Sequence, residues 1–170
     1  MESIESKEDR IKRRVKFLIW IFMVGLTLSG LTAFPLELEL GFVRDFLINQ
    51  GMEHSTFFTW IEKVYSGVKE TNLKYPFIAY GTDWLAFAHI VIAVAFIGPL
   101  KDPVKNIWVI EFGMIACAGI IPLAIIAGSI RSIPFYWQMI DCSFGIFGVI
   151  PLWICRKEIK KLAILTIRNS

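Results

Sequence analysis

The sequence is poor in the groups that usually declare chemistry: it holds two histidines and three cysteines. Cys117, Cys142 and Cys155 form no C-x-x-C pair. That excludes a quinone-linked thiol oxidase or epoxide reductase built on a close dithiol, and leaves the three thiols as small apolar packing groups. Helical haem sites usually pair axial histidines on facing helices, and His54 falls in a polar stretch far from His89. A metal held by His89, Asp141, Asp83 and a loop carboxylate has no H-x-x-x-H spacing to support it. Internal repeats and low-complexity tracts are lacking too. No cofactor is implied, and no motif names a reaction.

What the chain has in excess is apolar surface: 55% of its 170 residues are hydrophobic, against roughly 45–50% in soluble domains. The excess gathers in four segments, 17–34, 84–100, 107–128 and 135–155. Each approaches the roughly 17–25 residues that a helix needs to cross a hydrocarbon core about 30 Å thick. The basic stretch and apolar run at the start resemble a signal peptide, but the run exceeds the usual core of about 7–15 residues and Phe34-Pro35, not an A-x-A site, follows it. The expectation is one polytopic domain, all-α, an integral membrane bundle of four transmembrane helices with residues 35–82 as a cap.

Orientation follows from the basic residues. Lys7, Arg10, Lys12, Arg13, Arg14 and Lys16 precede the first span, Lys101 and Lys105 lie between the second and third, and Arg156, Lys157, Lys160, Lys161 and Arg168 follow the fourth. These are thirteen of the eighteen Lys and Arg. Because basic residues flanking spans stay inside, both termini are expected in the cytoplasm, with 35–82 and the short 129–134 loop external. The net charge of +3 thus describes topology rather than a nucleic-acid footprint, and the basic ends suit anionic membrane lipids.

Within the first span Gly25, Ser29 and Ala33 recur every four residues with Gly30 beside them, a small-residue face for another helix or a second copy. "FPLELELG" alternates Leu with Glu, which reads either as an extended interfacial stretch or as Glu37 and Glu39 aimed into an external vestibule. Residues 42–50 and 55–70 carry apolar groups at helical spacing, punctuated by Gly51 and with Ser55 or Thr56 as a cap. They predict two short amphipathic helices on the outer face or over the bundle mouth. Pro122 is expected to bend the third span.

Depth singles out the candidate site. Counted from the external ends of their spans, His89 and Asp141 both lie about 9 Å inward at 1.5 Å per residue. Buried ionisable groups are costly and normally face one another inside a bundle. His89 and Asp141 are therefore expected to pair, with Asp83 and Arg131 closing a polar pocket and Trp84 and Trp137 lining its mouth. The plain alternative is a histidine that bonds a backbone carbonyl and fixes helix pairing. Glu111, near the cytoplasmic end of the third span, is an inner polar station expected to accept from Lys101, Lys105 or Asn106.

These residues support several functions. The leading one is binding of an amphipathic or lipid-like small molecule near the outer leaflet, with Asp141 orienting His89 and Arg131 holding an anionic headgroup. An enzyme using His89 and Asp141 as an acid–base pair is a rival. An accessory subunit docked on a partner subunit through the small-residue faces, or a homo-oligomeric carrier or channel using Glu111 and Asp141, are others. In size, four spans and cytoplasmic ends the chain is similar to small sterol-isomerase-like and ligand-binding four-helix membrane proteins, a likeness of topology that carries no residue across. Cysteine labelling checks the orientation. A cysteine at position 50 should react with an impermeant maleimide in intact cells and one at 165 only after permeabilisation; the reverse pattern inverts the topology.

Overall fold

The computed structural model describes residues 4–169, with side chains from 7 to 167. The side chain of Arg168, counted above in the basic tail, lies outside the described residues. The chain is all-α, with no strand among the described residues. Its helices are α1 (Ile4–Ala33), α2 (Leu36–Asn49), α3 (Thr56–Lys74), a 3-10 turn at Pro76–Ile78, α4 (Ala79–Ala95), α5 (Ile97–Lys101), α6 (Ile107–Ile130) and α7 (Phe135–Asn169). Four stretches are long and apolar enough to cross a membrane: Lys7–Ala33, Pro76–Lys101, Ile107–Ile130 and Phe135–Ile167. By helix length and composition this is a multi-pass membrane protein.

Two compact units divide the chain: residues up to Gly25 together with those from Ala93 onward, and Leu26–Ile92. In the first unit, Ile11, Val15, Ile19 and Met23 recur every four residues on α1 and are buried. Leu152, Cys155, Ile159 and Leu162, spaced three and four apart on α7, are buried as well. Both stripes have the helical period that puts apolar groups on one face. Phe96 adds a fully buried ring, 4.8 Å from that of Phe22.

The hairpin of α6 and α7 is the closest packing in this unit. A Cβ on Gly145 would stand 2.5 Å from the Cys117 carbonyl oxygen, so the two backbones meet where only glycine fits. Gln138 fastens the connecting turn. It is buried, its Nε2 donates to the Ile133 carbonyl at 2.8 Å, and its stem lies where a side chain on Gly128 would be. Ser132 supplies the left-handed residue of that turn, at φ 56°. Both α6 and α7 continue as helix through an internal proline, Pro122 and Pro151.

The second unit is built on an antiparallel pair. Glu37 on α2 accepts from Asn72 on α3, while Arg44, two turns further along α2, meets Glu62 and Tyr65, further back along α3. The turn between them closes as the expected Gly51 signal requires: Gly51 is left-handed at φ +67°. Its N–H donates to Ile48 and that of Met52 to Leu47, satisfying carbonyls that the end of α2 leaves open. Ser55 caps α3, its Oγ accepting from the Phe58 N–H at 3.0 Å. Leu47 and Ile61 are buried.

One local expectation changes. "LELEL" is helix rather than extended chain: Glu37 and Glu39 fall in the first turn of α2, where carboxylates are favoured by the helix dipole. The helix α7 itself runs on past the expected end of the fourth span at 155, and Ile159 and Leu162 keep its buried phase going beneath exposed lysines.

Replacing Gly145 tests the hairpin. Gly145→Leu should lower the melting temperature in detergent, a loss of about 1–3 kcal/mol from overpacking. Gly119→Ala, where a Cβ meets nothing within 4 Å, should leave it near wild type; an unchanged Gly145→Leu contradicts the packing.

Candidate functional site

The second unit contains a hollow of about 250 Å³. Three separate segments line it: 34–38 at the break between α1 and α2, 67–72 on α3, and 78–83 at the start of α4. Pro35 ends one helix and lets the next leave at a new angle, which opens the space. Phe34, Leu36, Leu38, Val68 and Ile78 give it apolar walls, and Glu37, Asn72 and Asp83 give it a polar side. Glu37 is held by the Asn72 amide, Nδ2 to Oε2 at 2.7 Å. The half-buried Asp83 carboxylate has no hydrogen-bond or ion-pair partner among the described residues. No Lys, Arg or His lines the hollow, so its charge is negative. Gly67 faces it without a side chain, and a Cβ there would meet nothing within 4 Å.

Outside the hollow, Arg44 stiffens the α2–α3 pair. Its guanidinium bonds Glu62 at 2.5 Å and Asp45 at 2.9 Å, and Glu62 above all raises its already high pKa further.

The sequence-derived site residues fall into both units. In the second, Asp83 lines the hollow. Trp84 is exposed and stacks edge-on with Tyr80 and Phe87, at 5.9 and 6.1 Å. His89 is half-buried, and its Nδ1 lies 2.8 Å from the Leu85 carbonyl, one turn back. Because a carbonyl only accepts, Nδ1 is the donor in this contact. The neighbouring packing is tight: a Cβ on Gly30 would stand 2.8 Å from the Ala86 oxygen and 3.1 Å from the His89 Cβ. It is thus Gly30, not Gly25, that lets α1 and α4 approach; Gly25 and Ser29 stay exposed.

In the first unit Arg131 is exposed at the C-terminus of α6. Trp137 and Asp141, both half-buried, sit one turn apart on α7. His89 and Asp141 belong to different units, and the acid–base pairing expected of them rests on their matched depth in the sequence.

Glu111 has a different partner from those expected. Its Oε1 accepts from the Arg156 Nε at 2.7 Å, across the α6–α7 hairpin. The expected donor Asn106 is turned to the Gly98 and Asp102 carbonyls instead, at 3.2 and 2.9 Å.

Two polar features escaped the sequence reading. Glu158 is buried on α7, bonded to Lys161 at 2.9 Å and facing Arg14 at 3.5 Å; its apolar phase with Cys155 and Leu162 was the available signal. Glu37 and Asp83 share one hollow although 46 positions separate them in the chain, and no local pattern announces such a meeting. Among the described residues no group of three or more His, Cys, Asp or Glu is arranged to hold a metal ion. Compared with known protein families, curated proteins and solved structures, the chain has no match.

Proposed function

We propose that this membrane protein binds an amphipathic, lipid-like molecule in the hollow of the second unit, with a cationic or hydrogen-bond-donating head toward Glu37 and Asp83. The observation that carries the reading is the pairing of apolar walls with an unpartnered carboxylate at Asp83. A half-buried carboxylate beside hydrocarbon is costly unless something neutralises it, and an ammonium head does so. The volume, about 250 Å³, lies below the roughly 300–1,000 Å³ of sites that enclose a drug-sized ligand. The hollow therefore takes a headgroup and the first part of a chain, while the rest of the tail stays in the bilayer. With the termini in the cytoplasm, the hollow opens at the outer leaflet.

A long-chain primary amine and a carboxylate of equal chain length are suitable probes, added to the purified protein in non-ionic detergent and followed by native mass spectrometry. The amine should bind in preference to the carboxylate. Asp83→Asn should weaken it about tenfold, the scale of one charge-assisted hydrogen bond. Gly67→Leu should block it without lowering the melting temperature, since the new side chain grows into open space. Equal binding of both probes, or undiminished binding to a folded Gly67→Leu, contradicts the reading.

A further inference from the structure

The first unit has a hollow of its own, with the opposite charge. Lys12 and Lys16 stand one turn apart on α1, Lys101 ends α5, and Lys105 lies in the turn before α6; all four line one cavity of about 470 Å³. Asp102 is the only carboxylate among its lining residues. Lys105 reaches Asp102 at 3.4 Å and Lys12 reaches Glu8 at 3.5 Å, both loose. Lys16 and Lys101 have no carboxylate within 4 Å among the described residues. Lysines from three parts of the chain thus line one space with a surplus of positive charge.

The turn that presents them is fixed rather than slack. Asp102 Oδ1 accepts from the Lys105 N–H at 3.1 Å, Asn106 ties the Gly98 and Asp102 carbonyls, and Pro99 is fully buried. The backbone bond from Lys105 above all holds the Asp102 carboxyl below its ordinary pKa, so Asp102 is ionised and its hydrogen bond to the turn persists at neutral pH. Val104, Leu162 and Ile167 give the same cavity an apolar part of its wall. Lys16 immediately precedes the apolar run of α1, and Lys101 ends the stretch Pro76–Lys101.

We propose that this cavity binds the phosphate headgroup of an anionic lipid, the ammonium groups gripping the phosphate and the apolar wall receiving the glycerol and upper chain. Lysine is a compact point charge with three donors and serves phosphate well. Basic pockets between membrane helices on the cytoplasmic side are where such headgroups dock. The cavity is far larger than a bare phosphate needs, and its apolar wall has no use for one.

Full-length protein in nanodiscs or non-ionic detergent can be titrated with dioleoyl phosphatidic acid, dioleoyl phosphatidylcholine and inorganic phosphate, with bound species read by native mass spectrometry. Phosphatidic acid should be retained over phosphatidylcholine. Each lysine is worth roughly fivefold, so Lys16→Gln with Lys101→Gln should weaken it about 25-fold. The charge-matched control, Arg13→Gln with Lys160→Gln, removes two exposed basic residues that do not line the cavity and should change little. Equal loss in the control, or equal retention of both lipids, overturns the proposal, because the binding is then diffuse surface charge. Competition by inorganic phosphate that disappears in the Lys16/Lys101 variant keeps the phosphate site but makes its source aqueous; no competition assigns it to lipid. The melting temperature of each glutamine variant separates lost binding from lost fold.

Discussion

Hydrocarbon offers no hydrogen-bond partner, and that constraint orders everything else in this protein. A chain inside a bilayer must satisfy its backbone within its own helices, and an all-α fold with long helical spans is the answer available to it. The same solvent explains an otherwise untenable surface. Phe17, Ile115, Leu123 and Phe147 are 65–73% exposed, a condition that water would punish at about 25 cal/mol per Å² and that lipid chains accept without cost. Since lipid is as apolar as leucine, helices associate through shape instead, which is why the first unit turns on the approach of Gly145 to the Cys117 backbone.

Polar groups are then confined to places where something meets their needs. Arg156 neutralises Glu111, Lys161 and Arg14 attend Glu158, and Gln138 serves the α6–α7 turn. Asp83 in one hollow and Lys16 with Lys101 in the other are not so served. They are the positions on which the two proposed binding sites rest. The two hollows carry opposite charge and belong to different units, so the ligands proposed for them differ in kind: a donor or cation for one, a phosphate for the other.

The four spans and the paired amphipathic helices were legible because each rests on local periodicity, as were the Ser55 cap and the Gly51 turn. The extended alternative for "LELEL" failed because five residues alternating Leu and Glu fit a strand and an acidic first helical turn equally well, and here the helix dipole decides. The end of α7 was hidden by charge: Arg156, Lys157, Lys160 and Lys161 depress the hydropathy of a stretch whose Ile159 and Leu162 remain buried. The same charged stretch concealed Arg156 as the partner of Glu111. Neither hollow was visible, since Glu37 and Asp83, or Lys16 and Lys101, meet only after helices distant in sequence have packed. Depth along a helix flagged His89 and Asp141, but depth fixes neither azimuth nor neighbour, and the Nδ1 bond of His89 to Leu85 is a contact that any membrane histidine can make.

The central claim is that bilayer hydrocarbon covers these exposed apolar faces. Spin labels at Ile115 and Leu123, single cysteines in a background with the native cysteines replaced by alanine, test it through collision with oxygen, which concentrates in hydrocarbon, and with a water-soluble nickel chelate. In reconstituted protein both sites should show high oxygen and low nickel accessibility, and a label at Arg131, exposed in the turn after α6, should show the reverse. Nickel accessibility at Ile115 or Leu123 as high as at Arg131 would contradict the account.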